Sequence, residues 1–248
     1  MNQIKLNVPY YLQWDSATWQ GGRMCFSSTC AMLLEFLIPE ALKGGAKQED
    51  DEYLAKVNTR GDTTIGAVQE ATLKSFGLTS ARFRTNLQWS DIDQQLSKGI
   101  PIPVGWLIRG NVNLPVGSGG PSGGHWSLIV GKTTVGDYIF HDPNGECNLV
   151  SGGYTNYQGG KFVVYSKANF DKRWRVNGKP GWGIMCDHVQ PQVEKSKAPE
   201  KNVFKVTPIK AKIKGKDALA WLFDNDAVVL ARDVGGAWDG ATRSVIID

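Results

Sequence analysis

Residues 24–37 read MCFSSTCAMLLEFL. The apolar positions Phe26, Cys30, Leu33, Leu34 and Leu37 recur with a helical period, which predicts a helix from about Phe26 to Leu37 that stops before Pro39. Cys25 stands at its start, just after the structure-breaking pair Gly21-Gly22. A thiol there feels the positive end of the helix dipole, which favours the thiolate, and the thiolate is the nucleophilic form. Cys30, on the apolar stripe, reads as a small core residue.

Working outward, helices are expected near 48–57 and from about Thr64 to Phe76, with Thr63 or Thr64 as N-cap and Gly77 as C-cap. A shorter helix is expected between a Ser90 cap and Gly99. Beyond Pro101 the texture changes. IPVGW, HWSLIVG, YIFHD, KFVVYS and GWGIMCD are short β-rich runs separated by Gly, Asn and Asp. Helices first and strands second indicate an α+β layout. Two of those runs carry His125 and Asp142, so a thiol, an imidazole and a carboxylate follow in an order that suits a nucleophile, a base and its orienter. His141 directly precedes Asp142 and on a strand faces the other way, and Asp142 is the favoured partner of His125. Asp142 also begins the turn signal Asp-Pro-Asn-Gly, and Asn144 is a weaker substitute for it. GSGGPSGG, before His125, reads as a flexible loop, either a rim of the site or an ordinary connection.

In order along the chain, LNVPYYLQWD, MCFSSTCAML, GHWSLIVG and HDPNGE resemble the motifs of papain-like cysteine peptidases of the bacteriocin-processing (double-glycine leader peptidase) type and their soluble phage and bacterial relatives. Between them, residues 50–78 resemble that family's middle helices, and QQLSKGIPIPVGW its approach to the sheet. The resemblance spans roughly residues 7 to 165. It implies a papain-like fold, with a nucleophile helix packed on an antiparallel sheet that carries the His and the acid. It also implies Cys25 as nucleophile, His125 as base, Asp142 as orienter and Gln13 as an oxyanion donor, with Gln20 read as a surface residue. One departure stands out: the family usually has Gly-Pro after the nucleophile, and this chain has Phe26-Ser27.

Composition sets the outer limits. With 248 residues, 41% hydrophobic, the chain suits one large domain with a small appendage. The expected division is a peptidase domain over 1–190, a linker over 191–202 rich in charge and nearly devoid of apolar residues, and a small β-rich module over 203–248. No apolar run reaches the length of a membrane span, and the N-terminus lacks a charged-then-apolar signal. Cytoplasmic synthesis is therefore expected, with release at lysis or carriage in a virion as later fates. The four cysteines have no metal-ligand spacing, and the chemistry calls for no cofactor or metal. Cys147 and Cys186 are left open as a pair.

A net charge of +4 is compatible with an anionic polymer but does not demand one; no nucleic-acid partner is indicated, and the oligomeric state is open. The leading function is cysteine-dependent hydrolysis of peptide amides, with the peptide part of peptidoglycan as substrate by analogy with the soluble relatives. The alternatives are an intracellular protein-processing peptidase and a catalytically silent peptidase-like binding or structural domain.

Overall fold

The computed structural model describes residues 3–44 and 48–187, together with the backbone of 207–213, 216–222, 228–230 and 243–247. The chain divides into two compact units, Met1–Gln190 and Pro191–Asp248. The linker expected at 191–202 lies outside the described residues, as does His188, which by residue type alone competes with His125 for the role of base.

The first unit runs β1 (Ile4–Lys5), α1 (Cys25–Leu37), α2 (Glu49–Asn58), α3 (Gly66–Ser75), β2 (Arg82–Leu87), α4 (Trp89–Ser97), β3 (Ile102–Arg109), β4 (Ser122–Lys132), β5 (Tyr138–His141), β6 (Glu146–Cys147), β7 (Tyr154–Asn156), β8 (Lys161–Tyr165), α5 (Lys167–Trp174) and β9 (Gly181–Met185). Its main sheet is antiparallel in the order β2-β9-β3-β4-β5-β8, with β1 added to the end of β4; β6 and β7 form a separate ribbon. The expected mixture of helices and antiparallel sheet is present. In the second unit, β10 (Thr207–Ile213), β11 (Lys216–Leu222), β12 (Val228–Leu230) and β13 (Arg243–Ile247) form a sheet in the order β12-β11-β10-β13. No helix among the described residues is long and apolar enough to cross a membrane.

Side-chain alternation on β4 divides the core into two layers. Leu128 and Val130 join Phe26, Cys30, Leu33 and Leu34 of α1 in one apolar cluster. Ile129 faces the other cluster with Trp89, Trp106, Phe140, Phe170 and Trp174. α1 is buried on most of its surface because it lies between the sheet and the α2–α3 pair, which explains its nearly continuous apolar sequence. Phe26 and Ser27 fit this setting. Phe26 is buried and stacks on Trp126 with ring centroids 3.4 Å apart and planes 5° from parallel. Ser27 Oγ is 2.6 Å from Thr63 Oγ1 and accepts a 3.0 Å hydrogen bond from Gln69 Nε2, so α1 is tied to α3 through a buried polar knot.

Several local expectations are corrected. The N-cap of α3 is Ile65, because Thr63 is engaged with Ser27 and the Thr64 hydroxyl turns to Asp62 at 2.7 Å. Gln88, not Ser90, caps α4, in a reciprocal capping box with Asp91. Ser122–Gly124, expected as loop, already pair with β3, opposite Arg109 and Leu107. α5 was not anticipated: it is short and mostly polar, and it is held by Ser166 at its N-cap and by buried Phe170 and Trp174 one turn apart.

Replacing Phe26 with Ala should remove the stack and leave a cavity. Such truncations cost about 3–5 kcal/mol, and a domain of this size loses about 2–4 °C per kcal/mol. Thermal unfolding should therefore shift down by roughly 6–20 °C; a fall under about 2 °C would show that the stack contributes little.

Candidate active site

Cys25 is the first residue of α1 and is partly exposed, whereas Cys30, Cys147 and Cys186 are buried; all four thiols are free. The first amides of a helix have no intrahelical acceptor, so the Cys25 N–H points outward from the helix start. His125 and Asp142 meet across neighbouring strands: Nε2 of His125 lies 2.7 Å from Oδ1 of Asp142, and both side chains are buried. With Nε2 engaged, Nδ1 is the ring nitrogen left for Cys25, and its hydrogen bond to the sulfur favours the charged ring. Burial opposes the charged imidazolium, but the Asp142 carboxylate, its hydrogen bond and the Cys25 contact outweigh that cost and push the His125 pKa up to about 10.

Asp142 is itself firmly held. Its Oδ1 accepts from the Asn144 N–H at 3.0 Å, and its Oδ2 accepts from the Tyr165 hydroxyl at 3.0 Å. The Tyr165 oxygen in turn accepts from the Cys147 N–H at 2.9 Å. The Tyr154 hydroxyl is 2.8 Å from His125 Nε2 and 3.4 Å from Asp142 Oδ1. Burial and the nearby Asp142 charge raise the pKa of both phenols, so they act as neutral donors. Close backbone approach matters here too: a Cβ on Gly160 would stand 1.9 Å from the Asp142 carbonyl oxygen. Sequence reading missed Tyr154 and Tyr165, since nothing in isolated β-rich runs marks a phenol that will meet a carboxylate 12 or 23 residues away.

Gln13 is buried in a 3-10 turn over Gln13–Asp15, and its N–H donates to the Pro143 carbonyl at 2.8 Å, directly after Asp142. One proton of its Nε2 is taken by the Gly21 carbonyl at 2.8 Å, leaving a second donor. Gly21 is required: a Cβ there would come within 2.8 Å of the Gln13 carbonyl oxygen. Gln13, Cys25 and His125 all line one cavity of about 490 Å³, whose wall includes Trp14, Tyr154 and Tyr157. Asn144 also lines it, but its side-chain oxygen accepts from the Trp14 indole and is not used on His125. Gln20 does not contribute to this wall. Such an arrangement has the parts for acyl transfer: a thiol at a helix start, an imidazole oriented by a carboxylate, and two N–H donors near the thiol.

The profile of the Peptidase_C39 like family matches residues 5–181. The chain belongs to that family. No curated protein is significantly similar to the chain. Among solved structures, a protein from Bacillus anthracis assigned to the C39-like peptidases is similar, with 12% identity and a TM-score of 0.47 over 76% of this chain and 100% of the other. Family membership supports a peptidase and, with the free thiol at the start of α1, a thiol-dependent one.

The second histidine has a different environment. His141, opposite Leu128 in the sheet, is buried with Nε2 3.0 Å from the Val8 carbonyl, and its Nδ1 accepts from the Phe162 N–H at 3.1 Å. This pattern needs a neutral ring. Burial lowers its pKa from 6.5 to about 4, opposed by the backbone of Val8 and Phe140 and helped by the Lys161 and Lys5 charges. Between those values the unfolded chain binds the proton and the folded chain does not. The contribution is full above pH 6.5 and is lost as the pH falls through about 4. At about 1.4 kcal/mol per pKa unit it amounts to roughly 3 kcal/mol. Denaturant titrations from pH 7 to pH 4 should show a steeper loss of stability in the natural chain than in His141→Gln. Parallel curves would refute this account of His141.

Proposed function

We propose that this chain is a cysteine peptidase that cleaves peptide amides through a thioester acyl-enzyme. The observation that carries the reading is the convergence of Cys25, His125 and Gln13 on one cavity, with Asp142 bonded to His125 from behind. The Cys25 sulfur attacks the amide carbonyl while its proton resides on His125. The developing oxyanion is met by the Cys25 N–H and the free proton of Gln13 Nε2. His125 then delivers its proton to the departing amine, and afterwards takes one from the water that hydrolyses the thioester. Asp142 fixes the ring so that Nδ1 faces the sulfur and steadies its positive charge.

Within that class we favour the peptide portion of peptidoglycan, reached after synthesis in the cytoplasm by release at lysis or carriage in a virion. The support is the net charge of +4 and a separate C-terminal unit whose sequence opens with Lys205, Lys210, Lys212, Lys214 and Lys216. Such a run attracts an anionic polymer over short, salt-screened distances.

Three experiments test the reading. Brief treatment with iodoacetamide should label Cys25 ahead of Cys30, Cys147 and Cys186, whose burial holds their thiols protonated, and Cys25→Ser should lose hydrolysis while remaining folded. Asp142→Asn should lower the pH at which His125 loses its proton, moving the alkaline limb of Cys25 alkylation downward. Equal labelling of all four cysteines would favour a silent binding domain.

Removal of Val203 to Asp248 should spare hydrolysis of a small soluble peptide and weaken action on insoluble walls, the more so as salt rises. A fall in both melting temperature and small-peptide rate would make the tail structural and end the wall-binding role.

A further inference from the structure

One charged side chain on the cavity wall takes no part in the chemistry just described. Arg109 ends β3 and is exposed, and it lines the cavity together with Cys25 and His125. Every other arginine with a described side chain is engaged: Arg23 with Asp62, Arg60 with the Lys56 carbonyl, Arg82 with the Thr79 carbonyl, Arg84 with Asn86, Arg173 with the Leu149 carbonyl and Arg175 with Asp171. Among the described residues, the Arg109 guanidinium has no hydrogen bond and no ion pair. It is a cation left unpaired by the fold at the mouth of the site.

The chain makes room for it there. A Cβ on Gly123 would lie 3.1 Å from Cδ and 3.3 Å from Cγ of Arg109, and the φ of +66° at Gly123 is one that other residues rarely adopt. The bare backbone two residues before His125 is thus the surface on which the Arg109 stem rests. At Gly124 an added Cβ would meet nothing within 4 Å, so the floor between Arg109 and His125 is open to a ligand. Among the described residues no carboxylate lines the cavity; Asp142 is fully buried behind His125 and is satisfied by Tyr165 and Asn144. The N-terminal end of α1, where Cys25 stands, adds a partial positive charge beside the cavity.

We infer that Arg109 receives a carboxylate side chain of the substrate next to the scissile bond, so that acidic peptides are preferred. The inference rests on the peptidase reading and names its substrate class. A guanidinium presents a planar fork of donors that matches a carboxylate with two parallel hydrogen bonds, a geometry a lysine ammonium lacks.

The test uses the full chain and two alkylating probes of nearly equal size, iodoacetate and iodoacetamide. In each the Cys25 sulfur displaces iodide, but only iodoacetate carries a carboxylate. The ratio of their rates at Cys25 should fall about twofold to fivefold in Arg109→Gln, the size expected of a partly exposed ion pair. It should be only partly kept in Arg109→Lys, which retains the charge but not the fork, and it should fall with salt more steeply in the natural chain than in Arg109→Gln. Internally quenched peptides that differ only by Glu or Gln should show the same loss of preference for Glu in Arg109→Gln. If Cys25 is labelled ahead of the other cysteines but the ratio is the same with and without Arg109, the inference is overturned and the peptidase reading stands. If neither probe prefers Cys25, the peptidase reading fails, and the inference with it.

Discussion

The face-to-face stack of Phe26 on Trp126 is the contact on which the rest of the site depends. Each ring is the immediate neighbour of a reacting residue, Phe26 following Cys25 on α1 and Trp126 following His125 on β4. Fixing the two rings at 3.4 Å therefore fixes the helix start against the strand, and with it the approach of thiol to imidazole. Flat apolar surfaces that close together leave little freedom to slide, because any offset exposes apolar area and loses dispersion contacts. The buried knot of Ser27, Thr63 and Gln69 restrains the same helix end from the opposite side. Phe26-Ser27 is thus accommodated as part of the scaffold rather than as an irregularity beside the thiol.

A buried carboxylate is costly unless its charge is matched and its lone pairs are filled. Asp142 meets that condition with His125, Tyr165 and the Asn144 amide, and its own backbone is stitched to Gly160 and to the Tyr10 hydroxyl. The Gln13 turn is tied to the adjacent Pro143 carbonyl. One short stretch, Asp142 to Asn144, consequently positions the base and the candidate oxyanion donor together. This economy explains why the β5 end and the N-terminal segment are packed against each other, with His141 reaching back to Val8 from the opposite face of the strand.

Charge is distributed unevenly about the cavity. The acid that holds His125 is enclosed, the phenols around it are neutral donors, and the surface open to a ligand carries a cation and aromatic rings. A substrate entering such a site meets the Arg109 cation without meeting Asp142, since burial keeps that carboxylate out of the solvent-facing wall.

Local pattern determined a good deal. The 3.6-residue recurrence of Phe26, Cys30, Leu33, Leu34 and Leu37 fixed α1 to within one residue, and the runs after Pro101 became strands of one antiparallel sheet, because periodicity is a property of neighbouring residues. Alternation separated His141 from Asp142 for the same reason. The cap of α3 was misread because Thr63 takes its partner from the packed structure, and that of α4 because the local capping box of Gln88 with Asp91 competes with Ser90 one residue on. Only the tertiary structure decided that Phe26 meets Trp126, that Tyr154 and Tyr165 attend the His125–Asp142 pair, and that Arg109 has no partner among the described residues. Those facts depend on which distant segments share a layer, and that is settled by how the two faces of β4 are covered, information that no stretch of sequence carries by itself.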